Sequence, residues 1–395
     1  MNTLSLPVKA LFIDEPFVDE ASLRAMRSRF IWRVLSSATD ADLLLLKSDK
    51  HREQPVPRHD GYDRLYSLSL DSSHQLLPSG YHQLAKGQGK RFAGILDGKR
   101  YQLIVMASLR CLPLAYLAGK TLPHSVIVID LERLYLPELK QQWQCRQDID
   151  KLPRLWDFLR QSVLDRFLLR GKIKYFVSDP GLAKDLKPHS PLSEQDYLPL
   201  PLPFEEPETS SVPDSATLPA AKFILFWGDA SRQPNLAAAK LIAGDIYPRI
   251  SKKLVEKEIS IVLCGDDAYQ NYCGGRIIHA PAEHLDALLS EALFVLLPLS
   301  EPDSEARIFS CAQHRKALLC TDTALSSLPL PEGTHYSGSD PDSLAATINH
   351  LLRAPRELEK TGIGLHDHCQ NTYSPETLTS TLLDTLKTWM AADAN

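Results

Sequence analysis

Two arginines in the carboxyl-terminal half of the chain have positions from which they could bind an anion. Arg232 follows a predicted strand at 223–227, and Arg307 lies in a predicted helix that starts near residue 303. Guanidinium groups bind phosphate or carboxylate oxygens through paired N–H donors, and the amino terminus of a helix adds a positive dipole end. The spacing predicts an anion site, with an exposed or ion-paired arginine as the alternative at each position.

The start of that helix also carries negative charge. Ser300 and Asp303 form a predicted capping box, and Pro302 suits the first helical turn. Glu301, Asp303 and Glu305 complement the helix dipole, but they would repel phosphate groups. These residues argue against ordinary phosphate binding at this helix terminus.

Two glycines end predicted strands in the same half. Gly228 follows the strand at 223–227, and Gly265 follows the strand at 260–264. Glycine lets a ligand approach the backbone closely and tolerates positive φ, so both positions could line a binding site. Both also suit ordinary strand-to-loop turns.

Two further polar residues lie at the ends of predicted strands. His279, in a short strand at 276–279, could stack on an aromatic ring of a ligand, with a structural role as the alternative. Asp130 follows the buried strand at 125–129, where a carboxylate could orient a hydroxyl group. A capping or ion-pairing role is the alternative for Asp130.

The elements that would position these residues alternate between short apolar runs and segments of helical period. Such alternation indicates βαβ units and a parallel sheet. In the amino-terminal half we predict strands at 8–13, 42–47, 102–106, 125–129 and 175–178, a helix at 22–37, and a loop over 48–75.

The predicted helix at 22–37 has a basic side. Arg24, Arg27, Arg29 and Arg33 follow one another at short intervals. A solvated face is the simplest interpretation. The alternative is a surface that meets an acceptor with a phosphate or carboxylate group, or an anionic membrane.

Residues 205–221 separate the two halves. The segment is rich in proline and serine, with little apolar pattern, which predicts an interdomain linker. The alternation then restarts, with strands predicted at 223–227, 260–264, 276–279, 294–298 and 317–321 and helices at 235–247, 284–292, 303–314 and 341–352. We therefore predict an α/β fold of two Rossmann-like domains, at 1–204 and 222–375, that face each other across a cleft. A carboxyl-terminal helix at 376–395 could cross back to the first domain.

Composition excludes several classes of protein. The 395 residues exceed one ordinary core and suit two domains, and the net charge of −5 argues against a general nucleic-acid binder. No run approaches the ~18 apolar residues that span a bilayer, and the amino terminus lacks the pattern of an export signal. Seven cysteines without a CxxC pair predict reduced thiols in the cytoplasm, not a zinc site.

Several segments occur in the order of a known family. KFILFWGDASRQPNLAAAKLIAGDIYPRI is a strand that ends in glycine, a loop, and a helix opened by a Pro-Asn pair. The series continues over residues 222–385 with ISIVLCGDD, HAPAEHLDALLSEALFVLLPLS, EPDSEARIFSCAQHRKALLCTD and YSPETL. It extends more weakly over 100–204 with RYQLIVMASLRCLPLA, VIVIDLER and PLPLPFE. In this series the chain resembles retaining glycosyltransferases of the GT-B fold, of a family 4-like type.

The resemblance implies a nucleotide sugar bound mainly by the carboxyl-terminal domain and an acceptor bound by the amino-terminal domain. It implies transfer with retention of configuration and without a bound metal. It places Arg307 where the family usually has a basic residue that contacts phosphate, and it places Gly228, Gly265 and the backbone around His279 at the donor site. Arg232, in the loop after the strand at 223–227, is the second cation candidate for the leaving diphosphate.

The chain departs from that family at a motif of two glutamates separated by seven residues. The alignment places Pro302 and Ser310 at the two positions, so Ser310 could replace the ribose contact only weakly. A shifted alignment would let Glu301 or Glu305 contact the sugar. The following turn, at 315–316, holds arginine and lysine where the family has glycine.

Two functions of different class follow. The first is a cytoplasmic enzyme, free or peripheral to the inner membrane, that transfers a hexose-type unit from a UDP- or GDP-sugar to a glycan, lipid-linked or protein acceptor. It needs no cofactor besides this substrate. The second is a catalytically degenerate protein that binds or scaffolds a partner, such as a working glycosyltransferase. The replaced glutamates favour the second, and no residue indicates other nucleotide-sugar chemistry such as epimerisation.

Overall fold

The computed structural model describes residues 6–15, 22–48, 61–71, 81–131, 173–178, 193–206, 222–300, 305–326 and 328–393. The chain divides into two compact units. The first unit comprises Met1–Leu202 together with Leu378–Asn395, and the second unit comprises Pro203–Thr377. The described strands form two separate sheets, one of seven strands and one of six.

The first unit is a parallel sheet with helices in its connections. Its strands run in the order β3-β2-β1-β4-β5-β6-β7, which reverses direction beside β1 as in doubly wound folds. The strands are β1 Lys9–Asp14, β2 Asp40–Lys47, β3 Leu65–Ser69, β4 Leu103–Met106, β5 Val126–Leu131, β6 Ile173–Val177 and β7 Tyr197–Pro199. The helices are α1 Leu23–Ala38, α2 Gln88–Asp97 and α3 Leu112–Thr121.

The central strands of this unit are mostly apolar and buried because parallel sheets are covered on both faces. All four residues of β4 are buried, and so are all six of β5. Helix α1 begins after Ser22, whose side chain accepts a hydrogen bond of 3.3 Å from the Ala25 N–H, so the predicted helix at 22–37 is confirmed.

The second unit repeats this architecture. Its strands are β8 Phe223–Gly228, β9 Ser260–Gly265, β10 Ile277–Ala280, β11 Phe294–Leu297, β12 Leu318–Cys320 and β13 Tyr336–Ser337, in the order β10-β9-β8-β11-β12-β13. The helices are α4 Gln233–Leu241, α5 Tyr247–Glu256, α6 Leu285–Glu291, α7 Glu305–Gln313, α8 Pro341–Leu351 and α9 Pro355–Tyr373. The last helix, α10 Pro375–Asp393, starts here, and from Leu378 onward it belongs to the first unit.

The sequence predictions were wrong at two elements. The predicted loop over 48–75 contains β3, a strand of five residues that pairs in parallel with β2. The helix predicted to end at residue 247 continues to Glu256 through a π-helical segment, Ile242–Ile246. That wider turn precedes Pro248, which lies in the first turn of α5, where a missing N–H is tolerated.

The simple interpretation of α1 as a solvated basic face was also wrong at two positions. Arg27 is 4% exposed, and its Nε donates to the Asp130 carboxylate at 3.1 Å. The Arg24 guanidinium lies 3.1 Å from a Glu15 carboxylate oxygen. Both arginines therefore balance charges inside the first unit.

Two predictions based on composition can be compared with the described residues. Six of the seven cysteines are described, and all six are free thiols, of which five are buried. In the part of the chain that the structure describes, no helix has the length and apolar character needed to cross a membrane. The predicted linker at 205–221 lies almost wholly outside the described residues.

Candidate functional site

A pocket of about 380 Å³ opens in the second unit at the carboxyl ends of β8 and β9. Four of the residues predicted from sequence line it, namely Gly228, Arg232, Gly265 and Arg307. In open parallel α/β sheets, ligands bind outside the carboxyl ends of the strands. The structure thus brings both candidate arginines and both candidate glycines to one concave site.

The two glycines form adjacent ends of paired strands. Gly228 and Gly265 are directly opposite each other in the β8–β9 register. Gly265 has φ of +146°, and a Cβ atom there would lie 2.8 Å from the ring of Tyr269. A Cβ atom on Gly228 would lie 2.7 Å from Cγ of Asn235. Close packing therefore requires glycine at both positions, whether or not a ligand is bound.

Arg307 is held against the end of β8 by a hydrogen-bond network. Its Nη1 donates to the Trp227 carbonyl oxygen at 3.0 Å, and its Nη2 donates to Oδ1 of Asn235 at 2.6 Å. The Asn235 amide in turn donates to the Asp229 carbonyl oxygen at 2.9 Å, and Asn235 is only 2% exposed. The network fixes the orientation of a cation in the pocket wall.

Arg232 has a different environment. It is exposed and precedes the first residue of α4, so its side chain lines the pocket beside the amino terminus of that helix. The first N–H groups of a helix lack intrahelical partners and favour negative charge nearby. Arg232 and the start of α4 together contribute positive potential to this part of the pocket.

Two carboxylates that sequence analysis did not name also line the pocket. Asp229 and Asp266 follow the glycines that end β8 and β9. Oδ2 of Asp266 accepts from the Ala230 N–H at 2.8 Å, and Oδ1 of Asp229 accepts from the Ser231 N–H at 2.8 Å. Hydrogen bonds from Ser231 lower the pKa of Asp229, so its carboxylate is ionised at neutral pH. The repeated Gly-Asp pair at two strand ends was the signal available in the sequence.

Three other predicted residues are not among the residues that line this pocket. Nε2 of His279 lies 3.0 Å from the Gly265 carbonyl oxygen, so the ring braces the loop after β9. The Ser310 hydroxyl donates to the Ala306 carbonyl oxygen within α7 at 2.9 Å. Glu305 is 7% exposed at the start of α7. Their roles at a donor site stay predictions.

Ser300 lies at a second pocket, also of about 380 Å³, at the carboxyl ends of β11 and β12. Its neighbours there include Thr321, Asp322 and Asp340. Glu301 and the capping-box partner Asp303 lie outside the described residues. In the described ranges no group of three or more His, Cys, Asp or Glu side chains could hold a metal ion.

The turn before β12 has a backbone conformation that favours glycine. Arg315 has φ of +51°, the left-handed region that glycine occupies at low cost. Helix α9 packs closely on this turn, because a Cβ atom on Gly362 would lie 2.6 Å from the Arg315 carbonyl carbon. Arginine therefore occupies a position that favours glycine, and Gly362 lets α9 pack against it.

Asp130 lies in the first unit, at the carboxyl end of β5. Its two carboxylate oxygens accept hydrogen bonds from Arg27, which also donates to the Leu200 carbonyl oxygen. With 2% of its surface exposed, Asp130 forms a buried ion pair. An acceptor-orienting role for Asp130 remains a prediction.

Two adjacent carboxyls at the end of β1 have opposite pKa shifts. Burial raises the pKa of Asp14 to about 7, against smaller opposing effects of Arg24 and Ser28. For Glu15, burial also favours the neutral form. A hydrogen bond from His82 and nearby positive charges outweigh it and lower the pKa to about 2. No pattern in the sequence predicts this buried pair.

No protein-family model matches the chain, and a search of curated proteins finds no match. Solved structures do match over nearly the whole length. Sucrose-phosphate synthase from Thermosynechococcus elongatus is 14% identical, with a TM-score of 0.59 over 97% of this chain and 100% of that one. HepE from Anabaena, in complex with UDP-glucose, is 10% identical, with a TM-score of 0.60 over 96% of this chain and 100% of that one. A glycosyltransferase from Rickettsia africae is 11% identical, with a TM-score of 0.62 over 97% of this chain and 99% of that one. At these identities the likeness concerns architecture, and the chain has the GT-B fold of two Rossmann-like α/β domains.

Proposed function

We propose that the protein is a glycosyltransferase whose nucleotide-sugar donor binds in the pocket at the carboxyl ends of β8 and β9. The observation that carries the proposal is that Arg232 and Arg307 line one pocket in a chain with the GT-B fold. Structural neighbours crystallised with UDP and with UDP-glucose support a nucleotide as the ligand class.

In this proposal the arginines stabilise the leaving nucleoside diphosphate. Breaking the bond between sugar and diphosphate leaves negative charge on the phosphate oxygens, and fixed cations in a concave site offset it without reorganising. Arg307 is oriented by Trp227 and Asn235 before any ligand arrives. Arg232 supplies a second, exposed guanidinium at the start of α4.

The finer parts of the proposal rest on the family resemblance. They are retention of configuration, transfer without a bound metal, and a glycan, lipid-linked or protein acceptor. A cytoplasmic location, free or at the inner membrane, and a partner glycosyltransferase belong to the same group. Activity that persists in excess EDTA would support the metal-independent part, and loss of activity that Mg²⁺ restores would contradict it.

The second candidate function is a GT-B protein without transferase activity. The Ser310 hydroxyl, at the position of the family's ribose-binding glutamate, is bonded inside its own helix. The pocket also contains the carboxylates of Asp229 and Asp266, which oppose a diphosphate. In this alternative the protein binds or scaffolds a partner enzyme.

A thermal-shift screen separates the two candidates. UDP, GDP, ADP, CMP, UDP-glucose and GDP-mannose are each tested at millimolar concentration, because a ligand that binds only the folded state raises Tm. The enzyme proposal predicts stabilisation by at least one diphosphate and slow hydrolysis of the matching sugar donor. Arg232→Gln should abolish both, whereas Arg356→Gln, an exposed site on α9, should change neither. Absence of any shift would contradict the proposal and favour the scaffold.

A further inference from the structure

Three parts of the pocket wall follow the order of three adjacent strands. The segment after β8 brings Arg232, the end of β9 brings Asp266, and the segment after β10 brings Ala282 and Leu285. Neighbouring strands lie about 4.8 Å apart, so a guanidinium, a carboxylate and apolar side chains follow one another along the wall in short steps, with Asp229 near Arg232 in the segment after β8. A nucleotide has the same order of groups, from phosphate through ribose to base.

At the end of β9, the acidic part of the pocket wall is the carboxylate of Asp266, which a hydrogen bond holds in a fixed orientation. Oδ2 of Asp266 accepts from the Ala230 N–H at 2.8 Å, which ties the end of β9 to the loop after β8. A carboxylate has two oxygens that can accept several hydrogen bonds, so this bond leaves capacity for hydroxyl donors. Asp266 is exposed and lines the pocket, so that capacity is accessible to a ligand.

Ser310 occupies the position at which the family that the chain resembles has a ribose-binding glutamate. Ser310 has a short side chain, and its hydroxyl donates to the Ala306 carbonyl oxygen at 2.9 Å. Hydroxyl groups of a buried ribose need an acceptor, because an unpaired polar group in a binding site weakens binding. A carboxylate at the end of the second strand of a nucleotide-binding unit can bind ribose hydroxyls in this way.

We propose that Asp266 binds the vicinal hydroxyls of the ribose of a nucleoside diphosphate. The phosphates lie at Arg232 and Arg307, and the base lies against Ala282 and Leu285. This inference rests on the proposed function, since it names a contact in the same donor site. It makes Asp266 a specificity-determining residue that favours ribonucleotides.

Calorimetric titration with matched nucleotides tests the inference. UDP and 2′,3′-dideoxy-UDP are compared, with the GDP pair in parallel. Wild-type protein should bind the ribonucleotide at least about tenfold more tightly, as expected for loss of hydrogen bonds to a charged group. Asp266→Asn should reduce that ratio to about twofold or less, because an amide has less acceptor capacity than a carboxylate.

Asn at position 266 keeps an oxygen for the Ala230 N–H, so the loop should be retained and Tm should stay unchanged. Asp267→Asn is the matched control, because Asp267 is adjacent in sequence and bonds to Gln270. The inference is overturned if UDP or GDP binds but wild-type protein does not discriminate, or if Asp266→Asn discriminates as wild type does. If neither nucleotide binds, the proposed function fails as well, so the two failures are distinguishable.

Discussion

Replacement of Asp14 by asparagine should remove a pH-dependent loss of stability from the first unit. The Asp14 side chain is buried at the end of β1, where it accepts hydrogen bonds from the Glu15 N–H and the Ser28 hydroxyl. Burial raises its pKa from 3.8 to about 7. Asparagine has the shape and the neutrality of the protonated carboxyl, so Asp14→Asn should fit the same environment.

The sign of the effect follows from proton binding. Between pH 4 and 7 the folded state keeps the proton of Asp14 while the unfolded state has lost it, so stability falls as the pH rises. The contribution of the protonated Asp14 carboxyl to folding stability is complete below about pH 4 and absent above about pH 7. The difference between the pKa of 3.8 in the unfolded state and about 7 in the folded state corresponds to about 4 kcal/mol of stability in total. About 3 kcal/mol of this is lost between pH 5 and pH 8.

Urea unfolding at pH 5 and pH 8, followed by tryptophan fluorescence, measures this difference. Trp32 reports on the first unit, because its ring lies 5.6 Å from that of Phe12 in the core. The free energy of unfolding of Asp14→Asn, taken relative to that of wild type, should rise by about 3 kcal/mol from pH 5 to pH 8. Asp97→Asn, at an exposed site on α2, should show no such gain. A difference between Asp14→Asn and wild type that stays constant with pH would refute the reasoning.

Three further substitutions test the packing. Arg27→Met should destabilise the first unit by about 3–5 kcal/mol in urea, because it leaves Asp130 buried without a partner; a loss under about 1 kcal/mol would contradict the ion pair. Gly228→Ala should cost about 1–3 kcal/mol, since its Cβ would lie 2.7 Å from Asn235, and an unchanged Tm would contradict that close packing. Arg315→Gly should raise stability by about 0.5–1 kcal/mol because φ is +51°, and a lower Tm would contradict backbone strain.

The parallel sheets could be predicted because their strands are continuous apolar runs. The sequence at β5 and β8 consists almost wholly of such residues, and both strands were predicted within two residues of their observed ends. Strand β3 could not be predicted in this way, because its sequence, LYSLS, mixes polar and apolar residues. The strand is stabilised by pairing with β2. Short edge strands depend on their neighbours more than on their own composition.

The candidate site was predictable in part for a similar reason. Gly228 and Gly265 end strands of clear pattern, so their meeting follows from the topology. The burial of Arg27 could not be foreseen, because its partner Asp130 lies 103 residues further along the chain. Asp266 could not be predicted as a site residue, because a carboxylate after a glycine is common in loops. Its significance comes from the pocket that the fold builds around it.

Calorimetric titration of the diphosphate that gives the largest thermal shift tests the central claim most directly. The site predicts saturable binding by wild-type protein, with an affinity at least tenfold lower for Arg232→Gln, as expected for loss of a charge-assisted contact. Arg356→Gln should bind as wild type does. Binding that is equally tight in Arg232→Gln, or no measurable heat with any diphosphate at millimolar concentration, would contradict a donor site in this pocket.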